Sequence, residues 1–180
     1  VVGAAVDTWN AFFKASKGYE LFVKNGSPIQ NVSGSSNQGQ GNICGSSIVS
    51  GSNFSGRVMI RKRTSWTYGT GTIALSSLCS VPVSGASYPV MTNAVMEVNY
   101  KDYFVGGKPQ PDLETIILHE LGHILGLDHS CSGSGVIACS GAPQAYLEAV
   151  MYPAPTASGN QGSARRNLRI NDQERANCLY

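Results

Sequence analysis

The chain has 180 residues, a formal net charge of +2 and 13% charged residues. A balance so near neutral excludes the basic footprint of a nucleic-acid or anionic-membrane binder, and no run of about eighteen apolar residues exists to cross a bilayer. The length suits one domain over residues 1–180, long enough to bury a core, and plentiful Gly, Ser and Asn beside so few charges lean toward a secreted protein with polar loops. No signal peptide opens the chain, as expected of a processed, mature form.

Val2, Val6, Trp9 and Phe13 recur at helical spacing, which predicts an amphipathic helix over Val2–Ala15 whose apolar stripe packs in the core. Tyr19–Val23 reads as a strand stopped by Asn25-Gly26. Residues 30–56 are a polar stretch longer than ordinary connections, either a functional flap or a mobile loop, the loop being favoured. Within it Asn31-Val32-Ser33 and Asn53-Phe54-Ser55 match the glycosylation acceptor pattern, a frequent chance match. Arg57–Arg63 alternates as a strand, its basic residues forming a solvated rim, and Gly71–Ser77 and the part-buried Asn93–Tyr100 read as two more strands.

Pro111-Asp112 opens a further helix with Asp112 as N-cap, and Leu113, Ile116, Ile117, Leu121 and Ile124 give it an apolar face. This helix carries His119-Glu120-Leu121-Gly122-His123, followed by Gly126 and His129. Residues four apart share a helix face, so His119 and His123 can offer their imidazoles to one metal. Glu120 sits beside the first ligand, within reach of a water on that metal. Gly126 can take a positive φ, which ends the helix and turns the chain so that His129 arrives as a third ligand. Three protein ligands and one open position are how a catalytic zinc is built. The chain has three histidines, all in this motif, so a chance match is improbable and a second histidine-built zinc site is excluded.

Five cysteines, Cys44, Cys79, Cys131, Cys139 and Cys178, then read as disulfides in an oxidising compartment. Cys131 and Cys139 would close a short loop worth about 2–3 kcal/mol. Cys44–Cys79 is the preferred second pair. Cys178 is the odd one, either a buried thiol or the partner of a segment outside this chain.

The motif H-E-x-x-H-x-x-G-x-x-H resembles the metzincin metalloproteases, whose signature adds a downstream methionine turn. Met151, in Ala149-Val150-Met151-Tyr152-Pro153, fits that turn. Ser130 after the third histidine, with Leu127-Asp128-His129-Ser130 and Met151-Tyr152-Pro153, resembles the matrixin branch. Pro153 stands where astacins and serralysins place a zinc-binding tyrosine, so no tyrosine ligand is expected.

The resemblance implies an α+β metzincin fold: a twisted mixed sheet with the active-site helix in an upper part, about residues 1–126, and the methionine turn and a C-terminal helix in a lower part, 127–180. It implies that the strand Gly71–Ser77 edges the cleft, with Ile73 and Ala74 orienting an extended peptide as an added antiparallel strand. Tyr152–Asn167, including Tyr152 and Pro153, would form the pocket for the side chain after the scissile bond, with Thr115 also lining it. Met151 would be a packing floor beneath the metal. The last helix, Leu168–Tyr180, resembles the final matrixin helix, which usually begins with paired aspartates. Asn171 replaces the first, and Asp172 could receive the Val1 ammonium. A strand before the first helix is also implied, whereas this chain opens at the helix. Between His129 and Met151 stand 21 residues, more than the family's usual hop, and this insertion would border the primed side of the cleft. Calcium is common in the family, but no Asp or Glu occurs between Glu20 and Glu97, so calcium is not expected at family-type sites.

The expected activity is hydrolysis of internal peptide bonds of proteins or peptides by a monomeric secreted enzyme. One Zn2+ on His119, His123 and His129 would activate water, and Glu120 would take its proton. Two competitors stand: a protease-like fold kept for adhesion or inhibition, which predicts a damaged motif, and an exopeptidase or narrow amidase.

Overall fold

The computed structural model describes residues 1–24, 56–69, 71–82, 84–85, 89–108, 110–132, 137–154 and 165–180. The polar stretch up to residue 55, both asparagine acceptors and Cys44 lie outside the described residues. The chain forms two compact units, Val1–Pro28 with Gly107–Tyr180, and Ile29–Gly106. Among the described residues no helix is long and apolar enough to cross a membrane.

In the second unit three strands, β1 (Arg57–Arg63), β2 (Ala74–Val81) and β3 (Val90–Asn99), form a mixed sheet of order β1-β3-β2. β1 runs parallel and β2 antiparallel to β3, with Arg61 and Leu75 both opposite Glu97. The central strand carries an unbroken buried run, Ala94–Asn99. β2 starts three residues later than the expected Gly71, because Gly71 takes φ 99° in a turn closed by Thr72 N donating to the Gly69 carbonyl. Arg63 departs from the expected solvated rim. It is buried 2.8 Å from the carboxylate of Glu97, which is itself 1% exposed and also accepts from Tyr68 Oη at 2.9 Å. A charge removed from water needs such a partner, and the acid two residues short of the end of β3 supplies it.

In the first unit helix α1 (Val2–Lys17) buries Ala5, Val6, Trp9 and Phe13, and Gly18 in the left-handed region stops it. Trp9 Nε1 donates to the Leu118 carbonyl at 3.0 Å and ties α1 to the helix α2 (Leu113–Ile124). The expected strand Tyr19–Val23 is not one. The side chain of Asn10 does a strand neighbour's work there, its Oδ1 accepting from Phe22 N at 2.9 Å and its Nδ2 donating to the Phe22 carbonyl at 2.7 Å. A side chain satisfying both backbone groups of one residue leaves no ladder to form.

Asp112 caps α2, its Oδ1 accepting from Thr115 N at 2.8 Å and from Thr115 Oγ1 at 2.7 Å. The insertion after His129 contains a short helix not foreseen in the sequence, α3 (Gln144–Leu147), and a disulfide joining Cys131 to Cys139 with Cα atoms 5.0 Å apart. Cys79 is buried and disulfide-bonded, and Cys178 is free and exposed. The chain closes with α4 (Ile170–Leu179), where Asn171, Asp172 and Ala176 are buried.

Candidate metal centre

His119 and His123 project from one face of α2, and the reversal after it delivers His129. Gly126 takes φ 92°, and Leu127 N reaches back to the Gly122 carbonyl at 2.9 Å. The three imidazoles converge, their potential ligand atoms all within 4.8 Å of one another. His119 is buried, and His129 is half-buried.

The hydrogen bonds of two rings fix which nitrogen faces inward. His119 Nδ1 lies 2.7 Å from the Val150 carbonyl oxygen, and His123 Nδ1 lies 2.8 Å from that of Leu127. A carbonyl only accepts, so each Nδ1 carries the hydrogen and each Nε2 is left with its lone pair. Burial, then the neighbouring His123, pushes the His119 pKa down to about 3, and burial lowers that of His129 as well. Both therefore stand neutral near pH 7, the state in which imidazole binds a metal. This donor set fits a borderline-soft divalent ion such as zinc. Glu120, next to His119 on α2, is 6% exposed.

The profile of the matrixin family matches residues 27–180. The chain belongs to the matrixin family. Comparison with curated proteins and with solved structures gave no match. Matrixins are zinc-dependent endopeptidases, so a zinc ion and protein substrates follow for this chain at that level.

The turn that follows the insertion in this matrixin is packed tightly. Ala149, Val150 and Met151 are all buried, and Ser130 N donates to the Met151 carbonyl at 2.8 Å. Asp172 holds the turn from α4: its Oδ2 accepts from Val150 N at 2.9 Å and its Oδ1 from Met151 N at 3.1 Å. Oδ2 also accepts from Arg169 N at 2.9 Å, so the carboxylate caps its own helix. An ion pair with the Val1 ammonium does not form, since Asp172 is fully buried and Val1 is 60% exposed. One peptide unit later the Val150 carbonyl receives His119. Asp172, read in the sequence only as the lone survivor of an aspartate pair, is thus linked to a triad imidazole through a single residue.

Of the residues expected to touch substrate, Tyr152 and Pro153 follow the turn and are half-buried. The Arg165 guanidinium stands 4.5 Å from the centroid of the Tyr152 ring. Thr115 is 1% exposed, with its hydroxyl committed to the Asp112 cap. Ile73 and Ala74 are each 8% exposed at the start of β2, in the other unit, where the Ile73 carbonyl accepts from Asn99 N at 2.8 Å. Two contributors escaped the sequence reading. Arg165 gave no signal. Gly122 gave a weak one, because a glycine inside a helix costs about 1 kcal/mol against alanine and hints at close packing.

Proposed function

We propose that this matrixin is a secreted zinc endopeptidase in which His119, His123 and His129 hold one zinc and Glu120 is the general base. The observation that carries the reading is the convergence of three imidazoles with Nδ1 atoms pinned outward on two of them. Zinc bound there would supply Lewis acidity, acidifying a water and polarising the scissile carbonyl. Glu120 accepts the proton as water attacks and hands it to the leaving amine. The Asp172-held turn fixes the His119 ring, so little reorganisation accompanies the reaction. Met151 is a packing floor and not a ligand. Ile73 and Ala74 would pair with the extended substrate backbone, and Tyr152 and Pro153 would border the side chain after the scissile bond. The Cys131–Cys139 bond supports an oxidising, extracellular setting.

The test is cleavage of casein and of peptides blocked at both ends, with and without a chelator. Glu120→Ala should retain stoichiometric zinc by elemental analysis and lose about 10²–10⁴-fold in turnover. Undiminished hydrolysis by that variant rejects Glu120 as the base, and cleavage confined to free termini favours an exopeptidase.

A further inference from the structure

Positions 165 and 166 are both arginine, and their charges are handled in opposite ways. Arg166 forks onto Asp112 through Nε at 3.0 Å and through Nη2, with Glu114 4.0 Å from Nη1. Arg165 donates from Nη2 to the Leu147 carbonyl at 3.0 Å and covers the Tyr152 ring, yet its Nη1 is shielded from solvent and has no hydrogen-bond partner among the described residues. The carboxylate that acts on it electrostatically is Asp172, and both oxygens of Asp172 are committed to backbone amides. Burial lowers the pKa of this half-buried guanidinium, and the neighbouring Tyr152 and Asp172 offset that only in part.

Its place matters. Tyr152 directly follows Met151, and the residue before Met151 holds His119. Arg165 lies over the Tyr152 ring, 4.5 Å from its centroid. Its field therefore reaches the strip that the proposed function assigns to the side chain following the scissile bond. Where water is scarce a full charge acts over several ångströms, so preference does not require direct contact. A carboxylate on the substrate would gain from that field, whereas a neutral isostere of the same shape would not.

We infer that Arg165 is a specificity-determining residue, and that it selects substrates with an Asp or Glu side chain immediately after the scissile bond. This rests on the endopeptidase reading above. Four quenched peptides, blocked at both ends and differing at that position as Glu, Gln, Leu or Lys, test it with the zinc-loaded protein, the cut bond being located by mass spectrometry. The wild type should cleave the Glu peptide about tenfold faster in kcat/KM than its Gln isostere, the order expected of one charge pair acting over several ångströms where water is scarce. Arg165→Gln should bring that ratio close to one while still cutting the Leu peptide, and Arg165→Glu should turn the preference toward Lys. Each ratio is taken within one protein, so a variant that is partly unfolded still reports it. Equal rates on Glu and Gln in the wild type, or a preference that survives in Arg165→Gln, overturn the assignment while leaving the endopeptidase intact. Failure to cut any of the four overturns both.

Discussion

Gly122 and Met151 leave no room between them. A Cβ on Gly122 would overlap the Met151 sulfur, with Met151 Cε at 3.2 Å and Trp9 Cζ2 at 3.3 Å. The histidine-bearing helix can therefore sit on the methionine turn only because one residue between His119 and His123 lacks a side chain. In an ordinary helix, glycine to alanine gains about 1 kcal/mol. Here Gly122→Ala should cost about 1–3 kcal/mol through overpacking, and should weaken zinc binding because the turn also anchors His119. Adding Met151→Ala should recover part of the loss, a coupling that a double-mutant cycle reads directly. A stabilised Gly122→Ala protein would refute the packing argument.

The link from Asp172 to His119 makes a second prediction, about metal rather than stability alone. Asp172→Ala strips the acceptor from three amide groups in a buried setting, which should destabilise the fold by about 3 kcal/mol or more. Asp172→Asn keeps one oxygen but turns an NH2 toward an N–H donor, so it should fall between. In whichever variant remains folded, zinc affinity by competition with a chromophoric chelator should drop about 10–100-fold, the usual effect of loosening a ligand's support. Unchanged affinity would mean that the Val150 carbonyl holds His119 without help from α4.

The triad was legible in the sequence because its information is local: helical spacing places His119 and His123, and Gly126 turns the chain to His129. The cap at Asp112 and the apolar face of α2 were legible for the same reason. Asn10 closing onto Phe22 was not, since a side chain that mimics a strand neighbour leaves the strand-like residues of Tyr19–Val23 unchanged. Nor was the late start of β2, which depends on the turn at Gly71. Asp172 and Arg165 show the deeper limit. Each acts on residues 13 to 22 positions away in the chain, and no periodicity encodes a contact between a helix start or a loop end and a distant turn. The buried Arg63–Glu97 pair is of this kind too: the sequence displays a basic strand, and only the sheet register brings the acid to it.

Acid should act on the metal-free protein through its histidines. The folded pKa values of His119 and His129 lie below the ordinary 6.5, that of His119 at about 3. The unfolded chain therefore binds more protons below pH 6.5, and by linkage stability rises with pH in that range. Metal-free protein should lose stability steadily as pH falls from about 6.5 toward about 3. Urea midpoints at pH 7.5, 6 and 5 measure this, and His119→Leu, which cannot titrate, should flatten the slope. A slope identical in wild type and His119→Leu would show that His119 is as open to protons when folded as when unfolded.

Asp112 responds in a separate, more acidic window. The Arg166 guanidinium bonded to it, offset in part by burial, and the Thr115 contacts hold its pKa at about 2 against an ordinary 3.8. For an acid whose folded pKa is depressed, the stabilisation is complete above the unfolded value and disappears as pH falls through the folded one. Arg166→Gln removes the main cause and keeps the cap to Thr115. The stability difference between wild type and Arg166→Gln should thus be constant from neutral pH to about 4 and shrink toward zero by about 2. Because the Arg166 side chain is 45% exposed, added salt should also narrow that difference at neutral pH. Asp112→Ala should cost about 1 kcal/mol more than Arg166→Gln, since it removes the helix cap as well as the ion pair. If the two variants were equally stable at pH 7, the cap would contribute nothing, and α2 would owe its start to the burial of Ile116 and Ile117 alone.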